Sequence, residues 1–287
     1  QLEKLAKQGR FISQEELLRF KNKAFDKNYI LITFDDGLKE QFQLAKPILD
    51  EIGIPFLCFI NTSNFQETTV SLVHKIHLLR SRIAAEALLE SLSKTFYTDL
   101  GHKERKLAIA HYNYDDEQTA VLKYLLNFKL DNTEQRNFIE QEFLRYFDEK
   151  KVVSDLYMEE DMLNELSFVN SLGSHSHHHL PLAKLPVWQI EEELVATQKF
   201  FKQEFKKNAQ ALSYPYGSYE SCVGLSGLLK KHGFELAFTM ERGVNKEIFP
   251  GEMLLSRFDC NDLPGGKANL FQTKPIFGNP TLRTWHQ

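Results

Sequence analysis

The fold of this chain is set by residues 29–61, which have the sequence YILITFDDGLKEQFQLAKPILDEIGIPFLCFIN. The first six residues are apolar or β-prone and predict a buried strand over 29–34. Residues 38–51 place apolar side chains on one helical face, and Gly53 lies just beyond, which predicts a helix and its end. A second apolar run over 55–61 predicts another strand. Strand, helix and strand together predict a parallel pair with a right-handed crossover.

The same alternation returns later in the chain, after an interruption. Residues from about 71 to 166 are charge-rich with helical apolar spacing, which predicts a helical insertion. Its role as a lid, a partner surface or an oligomer contact stays open, as does the oligomeric state. Beyond it, strands are predicted over 168–173, 211–214, 236–239 and 254–258, and helices over 188–205 and 222–232. Six or so strand–helix units predict an α/β fold, a (β/α) barrel or a relative of one, with the active site at the carboxyl ends of the strands.

Bulk properties exclude some functions. The chain has 287 residues, and its 35 basic residues are outnumbered by 39 acidic ones, so electrostatics do not favour a nucleic-acid partner. No stretch approaches the roughly 18 consecutive apolar residues of a transmembrane segment. Three cysteines without paired spacing argue against a disulfide framework. We therefore expect a cytoplasmic or membrane-associated location, with an exported one left open.

Two adjacent carboxylates, Asp35 and Asp36, follow the first predicted strand and precede Gly37. Neighbouring side chains at a strand end point in different directions, so the two carboxylates are expected to differ in role. One would bind a metal ion, and the other would accept a proton from water. The structural alternative is an ordinary Asp-Asp-Gly turn.

The second motif is the histidine string at 175–179, HSHHH. His175 and His179 are predicted to lie one helical turn apart and to share an ion with one of the two aspartates. Two imidazoles and a carboxylate leave coordination positions open, which suits a hydrolytic metal. His177 and His178 are expected to face away from the ion, toward outer positions or solvent.

The third motif is SYPYG at 213–217. Aromatic rings around a proline at a strand end can form a rigid wall for a sugar face, so Tyr214, Pro215 and Tyr216 are candidate substrate-binding residues. The backbone N–H of Tyr216 could be directed at an oxyanion. A core tyrosine followed by a Pro-Tyr-Gly turn explains the motif equally well.

Taken in order, Asp-Asp-Gly after a strand, His-Ser-x-x-His and Tyr-Pro-Tyr-Gly resemble the polysaccharide deacetylases of the NodB-homology group, carbohydrate esterase family 4. The resemblance covers roughly residues 29–65 and 158–260. It implies one catalytic domain over 1–287, a distorted (β/α) barrel of about seven strands, interrupted by the helical insertion at about 71–166. Residues 1–20 resemble the helix and turn that follow an N-terminal strand in many members.

The resemblance also implies roles for individual residues. Asp35 would be the base, and Asp36, His175 and His179 would bind a divalent metal, most often zinc in this family. Tyr216 would assist the oxyanion through its backbone N–H. The implied reaction removes N-acetyl or O-acetyl groups from a sugar in a surface polysaccharide or its precursor, so the partner is an N-acetylated glycan.

Two positions depart from the family pattern. Many members begin the third motif with an arginine that orients the base, and this chain has Ser213 there. Arg257, near the end of the last predicted strand, is a candidate for the missing guanidinium. Many members also carry a late histidine that protonates the leaving amine. His178 and His286 are candidates here, and the general acid stays unassigned.

Two other classes of function are open alternatives. One is a catalytically silent glycan-binding protein on the same fold. The other is a metal-independent amide hydrolase that acts on small cyclic ureides. The complete set of Asp35, Asp36, His175 and His179 argues against both, because such relatives tend to lose these residues.

Overall fold

The computed structural model describes residues 1–21, 23–96, 100–112, 115–248, 253–271 and 276–278. It divides into two compact units, the first formed by Gln1–Thr68 and Ser154–Gln287 and the second by Thr69–Val153. Within the described ranges, no helix has the length and apolar character needed to cross a membrane.

Seven strands are found among the described residues, all in the first unit. They are β1 (Arg10–Phe11), β2 (Tyr29–Ile30), β3 (Ile32–Phe34), β4 (Phe56–Ile60), β5 (Leu172–Ser174), β6 (Ala211–Ser213) and β7 (Leu236–Phe238). β1 pairs with β2, and a second sheet has the order β3-β4-β5-β6-β7. Every pairing is parallel. The predicted fold class, a distorted (β/α) barrel of about seven strands, is confirmed.

The central strand β4 shows how the sheet is held. All five of its residues are buried, as expected for a parallel strand covered on both faces. Phe56, Cys58 and Ile60 pack in a core with the helices, whereas Leu57 and Phe59 face a second core on the opposite side of the sheet. Alternation along one strand therefore joins these two cores.

The helices of the first unit connect these strands. They are Leu2–Ala6, Gln14–Leu18, Lys46–Glu51, Thr62–Gln66, Glu160–Phe168, Val187–Phe205, Tyr219–Cys222 and Ser226–Lys231, with a π-helical turn at Gln41–Ala45 and 3₁₀ turns at Leu182–Lys184 and Ile276–Gly278. The predicted helix over 38–51 is thus divided. Pro47, in the first turn of the α-helix, has no N–H to donate, and the turn before it is the wider π form.

Other boundaries also differ from the prediction. The predicted helix over 222–232 is two helices, separated by Gly224 at φ 82°. The predicted strand over 168–173 begins only at Leu172, because the preceding helix extends to Phe168 and Asn170 turns the chain at φ 54°. The predicted strand over 254–258 is reduced to a single bridge between Phe238 and Leu255. β1 lies within residues 1–20, where no strand was predicted.

The second unit is helical in the part that the structure describes. Its helices are Leu72–Arg82, Ala85–Phe96, His102–His111, Glu117–Tyr124 and Asn132–Tyr146, with a π-helical turn at Leu125–Lys129, and the division between units falls within the helix Glu149–Leu156. The single catalytic domain with an insertion at about 71–166 stays a prediction.

A buried ammonium organises the second unit. Lys75 is 1% exposed, and its Nζ lies 2.5 Å from Glu140 Oε2 and 2.7 Å from Glu149 Oε1. Glu149 Oε1 also accepts hydrogen bonds from Thr69 Oγ1 at 3.0 Å and from the Val70 N–H at 2.8 Å. A buried charge is tolerated when it is paired and hydrogen-bonded in this way.

Burial alone would raise the pKa of Glu149. Its ion pair with Lys75 and the hydrogen bonds that it accepts outweigh burial, so the pKa lies below the ordinary glutamate value. A carboxylate with a lowered folded-state pKa stabilises the fold fully above its unfolded pKa. That stabilisation is lost as the pH falls through the folded value.

We therefore expect Glu149→Gln to lower the free energy of unfolding by about 2 kcal/mol at neutral pH. The difference from the parent chain should shrink as the pH falls below about 4.3, the unperturbed glutamate pKa. Urea unfolding measured from pH 7 downward tests this. Glu90→Gln is the matched control, because Glu90 pairs with Lys94 on an exposed helix face and should change stability by less than about 0.5 kcal/mol. Equal effects of the two substitutions would contradict the expectation.

Candidate metal centre and active site

The candidate residues gather at the carboxyl ends of adjacent parallel strands. Asp35 and Asp36 follow β3, His175 follows β5, and the SYPYG motif continues from β6. The turn after β3 needs a left-handed backbone, with φ 77° at Asp36 and φ 65° at Gly37. A Cβ on Gly37 would lie 2.8 Å from Ile60 Cγ2, so glycine is required there on both counts.

Three side chains predicted to bind a metal lie together. Asp36 Oδ1 is 3.6 Å from His175 Nε2 and 3.6 Å from His179 Nε2. The three donor atoms all lie within 4.8 Å of one another. Both imidazoles are buried, and the aspartate is partly exposed. The structure therefore brings the predicted triad into one site.

His175 is held in one orientation. Its Nδ1 lies 2.8 Å from the carbonyl oxygen of Ser213, which can only accept, so Nδ1 carries a proton, and Nε2 is the nitrogen that faces Asp36 and would bind a metal. Its backbone N–H donates to the Ile60 carbonyl at 2.7 Å, and its carbonyl accepts from the Asn61 side chain. Such support of the second ring nitrogen is typical of metal-binding histidines.

The histidine string is a loop, and the prediction that His175 and His179 lie one helical turn apart is wrong. Ser176 and His179 have left-handed backbones, at φ 66° and φ 58°. Ser176 Oγ accepts a hydrogen bond from the His179 N–H at 3.1 Å. The loop, rather than a helix, brings the two imidazoles together, because two left-handed residues reverse the chain.

The donor set fits a divalent metal such as zinc. Zinc is bound by imidazole nitrogen and carboxylate oxygen at about 2.0–2.1 Å, so neighbouring donors in a tetrahedral site lie about 3.3–3.4 Å apart. The 3.6 Å separations here are close to that value. Asp36, His175 and His179 are therefore the residues that would hold the ion.

Asp35 is paired with Arg257. The two groups form a bidentate pair, Nη1 to Oδ1 at 2.9 Å and Nη2 to Oδ2 at 2.9 Å. The other guanidinium donors reach Thr239 O at 2.8 Å, Thr33 Oγ1 at 3.2 Å and Ser213 Oγ at 2.9 Å. All five N–H groups of Arg257 thus have acceptors, so the guanidinium has one position.

The arginine also sets the charge of Asp35. Burial by itself raises the pKa of the Asp35 carboxyl, but the positive charge and hydrogen bonds of Arg257 outweigh burial and hold the pKa below the ordinary aspartate value. Asp35 is consequently an anion at neutral pH.

The third motif divides between core and surface. Tyr214 is buried, with its hydroxyl donating to the Met253 carbonyl at 3.1 Å, and Pro215 is buried as well. Both side chains are buried, and their contact with substrate stays a prediction. Tyr216 is 48% exposed, and its ring centroid lies 5.1 Å from that of His179.

Backbone strain concentrates at this edge of the sheet. Nine non-glycine residues in the described ranges have positive φ, and four of them are Asp36, Ser176, His179 and Tyr216. Left-handed backbone costs on the order of 1–3 kcal/mol per residue and persists where the surroundings enforce it. The clustering of left-handed residues makes these loops a candidate functional site.

Several polar neighbours of the site were not predicted. Thr33, Ser213 and Thr239 surround the Arg257 guanidinium, and Thr62, Glu67 and Glu193 contact His177 and His178. Ser213 begins the SYPYG motif, but the other five residues lie outside the three motifs, so the sequence offered no signal for them. Of the two candidates for the general acid, His286 lies outside the described residues.

Comparison with known proteins gives a family match for part of the chain. Residues 138–237 match the model of the polysaccharide deacetylase family, a segment that includes the histidine string and the SYPYG motif. No curated protein matches the chain.

Solved structures give a further likeness. The Streptococcus pyogenes deacetylase PplD in complex with acetate is similar with a TM-score of 0.51 and 14% identity, covering 87% of this chain and 73% of that one. IcaB from Ammonifex degensii has a TM-score of 0.49 and 15% identity, covering 91% and 82%. The BpsB deacetylase domain from Bordetella bronchiseptica has a TM-score of 0.49 and 14% identity, covering 88% of this chain and 80% of that one.

At 14% identity the likeness to PplD shows a shared fold. The family model adds the segment that carries two of the three motifs. The matched segment and the fold confirm the resemblance of this chain to the polysaccharide deacetylases of the NodB-homology group.

Proposed function

We propose that this chain is a metal-dependent hydrolase that removes N-acetyl or O-acetyl groups from a sugar in a polysaccharide or its precursor. The observation that carries the proposal is the Asp36–His175–His179 triad beside a carboxylate, Asp35, that is held by Arg257. The family match over residues 138–237 supports the same class of reaction.

In this proposal the two carboxylates divide the work. Asp36, His175 and His179 would hold a divalent ion, which when bound supplies Lewis acidity to a carbonyl oxygen and to water. Asp35 would accept the proton of the attacking water, since it is anionic and directly precedes the triad residue Asp36. The low pKa of Asp35 makes it a weak base, so it can deprotonate only a water molecule whose own pKa is lowered by the ion that the triad would hold.

Arg257 positions the base in this mechanism. Its five donors fix the plane of the Asp35 carboxylate and keep the oxygens in one orientation. Tyr216 lies at the mouth of the site, where its backbone N–H would stabilise negative charge on the carbonyl oxygen and its exposed ring would contact the sugar.

Metal content and acetate release, measured on the same sample, test the proposal. We expect the zinc-loaded chain to release acetate from N-acetylglucosamine oligomers or from an O-acetylated glycan. Asp36→Asn should bind one metal equivalent fewer and release no acetate. A metal-loaded chain that binds these glycans without releasing acetate would favour the silent glycan-binding alternative.

Asp35→Asn should keep the metal of the parent chain but lose turnover by about 10²–10⁴-fold, because the amide cannot accept the proton. Metal analysis and steady-state kinetics on one preparation check this. Asp50→Asn is the control, since Asp50 pairs with Lys46 on an exposed helix and should leave turnover unchanged. Full activity in Asp35→Asn would rule out Asp35 as the base.

Arg257→Lys should also retain metal but lower kcat/KM, since the lysine ammonium cannot make the two parallel hydrogen bonds that the guanidinium donates to Asp35. Arg257 lowers the pKa of Asp35 through its charge and its hydrogen bonds. Lysine keeps the charge but loses the two parallel hydrogen bonds, so that pKa should rise and the acidic limb of the pH profile should move to higher pH. Arg242→Lys is the matched control, because Arg242 forms a similar fork on Asp262. An unmoved acidic limb in Arg257→Lys would contradict the positioning role.

A further inference from the structure

A second group of potential metal ligands lies on the other side of the histidine loop. Glu67 Oε1 is 3.0 Å from His177 Nε2 and 3.4 Å from His178 Nε2. These three donor atoms lie within 4.8 Å of one another, as in the Asp36 triad. We refer to Glu67, His177 and His178 as the Glu67 cluster.

The remaining nitrogen of each imidazole in the cluster has its own partner. His178 Nδ1 lies 2.6 Å from Glu193 Oε1, and His177 Nδ1 lies 2.7 Å from Thr62 Oγ1. Glu193 can only accept as a carboxylate, so His178 Nδ1 carries a proton and its Nε2 presents a lone pair in the neutral ring. A carboxylate on the outer nitrogen is the usual support of a metal-binding histidine.

Glu193 is itself fixed. Its side chain is buried, and Oε2 accepts hydrogen bonds from the backbone N–H groups of His177 at 3.0 Å and His178 at 2.9 Å. Burial alone would raise the pKa of Glu193, but these hydrogen bonds and the neighbouring imidazoles lower it. The loop backbone and the outer nitrogen of His178 are therefore anchored to one buried anion.

The separations in the cluster match a coordination sphere. Glu67 Oε1 lies within hydrogen-bond distance of His177 Nε2, at 3.0 Å, and 3.4 Å from His178 Nε2, so one carboxylate oxygen faces both imidazoles. The two separations of 3.0 and 3.4 Å are close to the distance of about 3.3–3.4 Å expected between neighbouring donors of a tetrahedral zinc ion. Glu67 is 46% exposed on its side chain, so water can complete the sphere.

We propose that Glu67, His177 and His178 form a second site for a divalent transition metal of the zinc type, separate from the Asp36 triad. An ion there would connect Glu67, just after the helix Thr62–Gln66, to the loop that carries His175 and His179. Its role would be to hold that loop, and the inference does not depend on the proposed deacetylase activity.

Zinc stoichiometry of the full chain tests the proposal. We expect two equivalents in the parent chain, one in Asp36→Ala, one in Glu67→Ala and none in the double variant. Glu192→Ala, on the exposed face next to Glu193, is the control for adventitious surface binding and should retain two equivalents. Cobalt(II) absorption of Asp36→Ala should report a site with nitrogen and oxygen ligands, lost when Glu67 is also replaced.

Zinc added to Asp36→Ala should raise its melting temperature and leave Asp36→Ala/Glu67→Gln unmoved, because only a site in the folded state stabilises it. Glu67→Gln preserves the size of the side chain, so this pair remains informative even if Glu67→Ala does not fold. Absence of zinc from a folded Asp36→Ala chain would overturn the proposal. An equal zinc content in the parent chain and in Glu67→Gln would also overturn the proposal. The Glu67 cluster would then be an ion pair of a protonated His178 with Glu67 and Glu193.

Discussion

The ion pair between Arg257 and Asp35 is the contact on which the site depends. The five N–H donors of Arg257 reach the ends of β3, β6 and β7, and Arg257 itself lies just past the bridge at Leu255. Without it, Asp35 would be a partly buried carboxylate beside a second one, and burial would favour its protonated form. The guanidinium thus determines both the geometry and the charge of the candidate base.

The parallel sheet places everything else around that pair. Because all pairings are parallel, the turns after β3, β5 and β6 lie at one edge, and left-handed residues at Asp36, Ser176, His179 and Tyr216 give the loops their sharp bends. The same bends let a five-residue string present imidazoles in two directions. His175 and His179 face Asp36, while His177 and His178 face Glu67 and Glu193.

Short sequence patterns predicted the strands and helices well, but predicted their first and last residues less well. Short apolar runs correctly predicted β4, β6 and β7, because buried parallel strands need little else. The helix predicted over 38–51 changes from π to α form just before Pro47, and the helix predicted over 222–232 is divided at Gly224, since backbone effects of single residues outweigh apolar periodicity. The strand over 254–258 had the right composition but forms only one bridge, because strand pairing depends on partners far away in sequence.

The sequence by itself determined the fold class, the Asp-Asp-Gly and histidine motifs and the candidate ligands, because each of these lies in a short contiguous segment. Only the tertiary structure showed which of these candidates meet, including the pairing of the base with Arg257 that the sequence had suggested. Arg257 and Asp35 are 222 positions apart, and Glu67 and His177 are 110 apart. It also placed Tyr214 in the core and Tyr216 at the surface, although both belong to one five-residue motif. Burial and side-chain pairing depend on packing of the whole unit, and no local pattern encodes them.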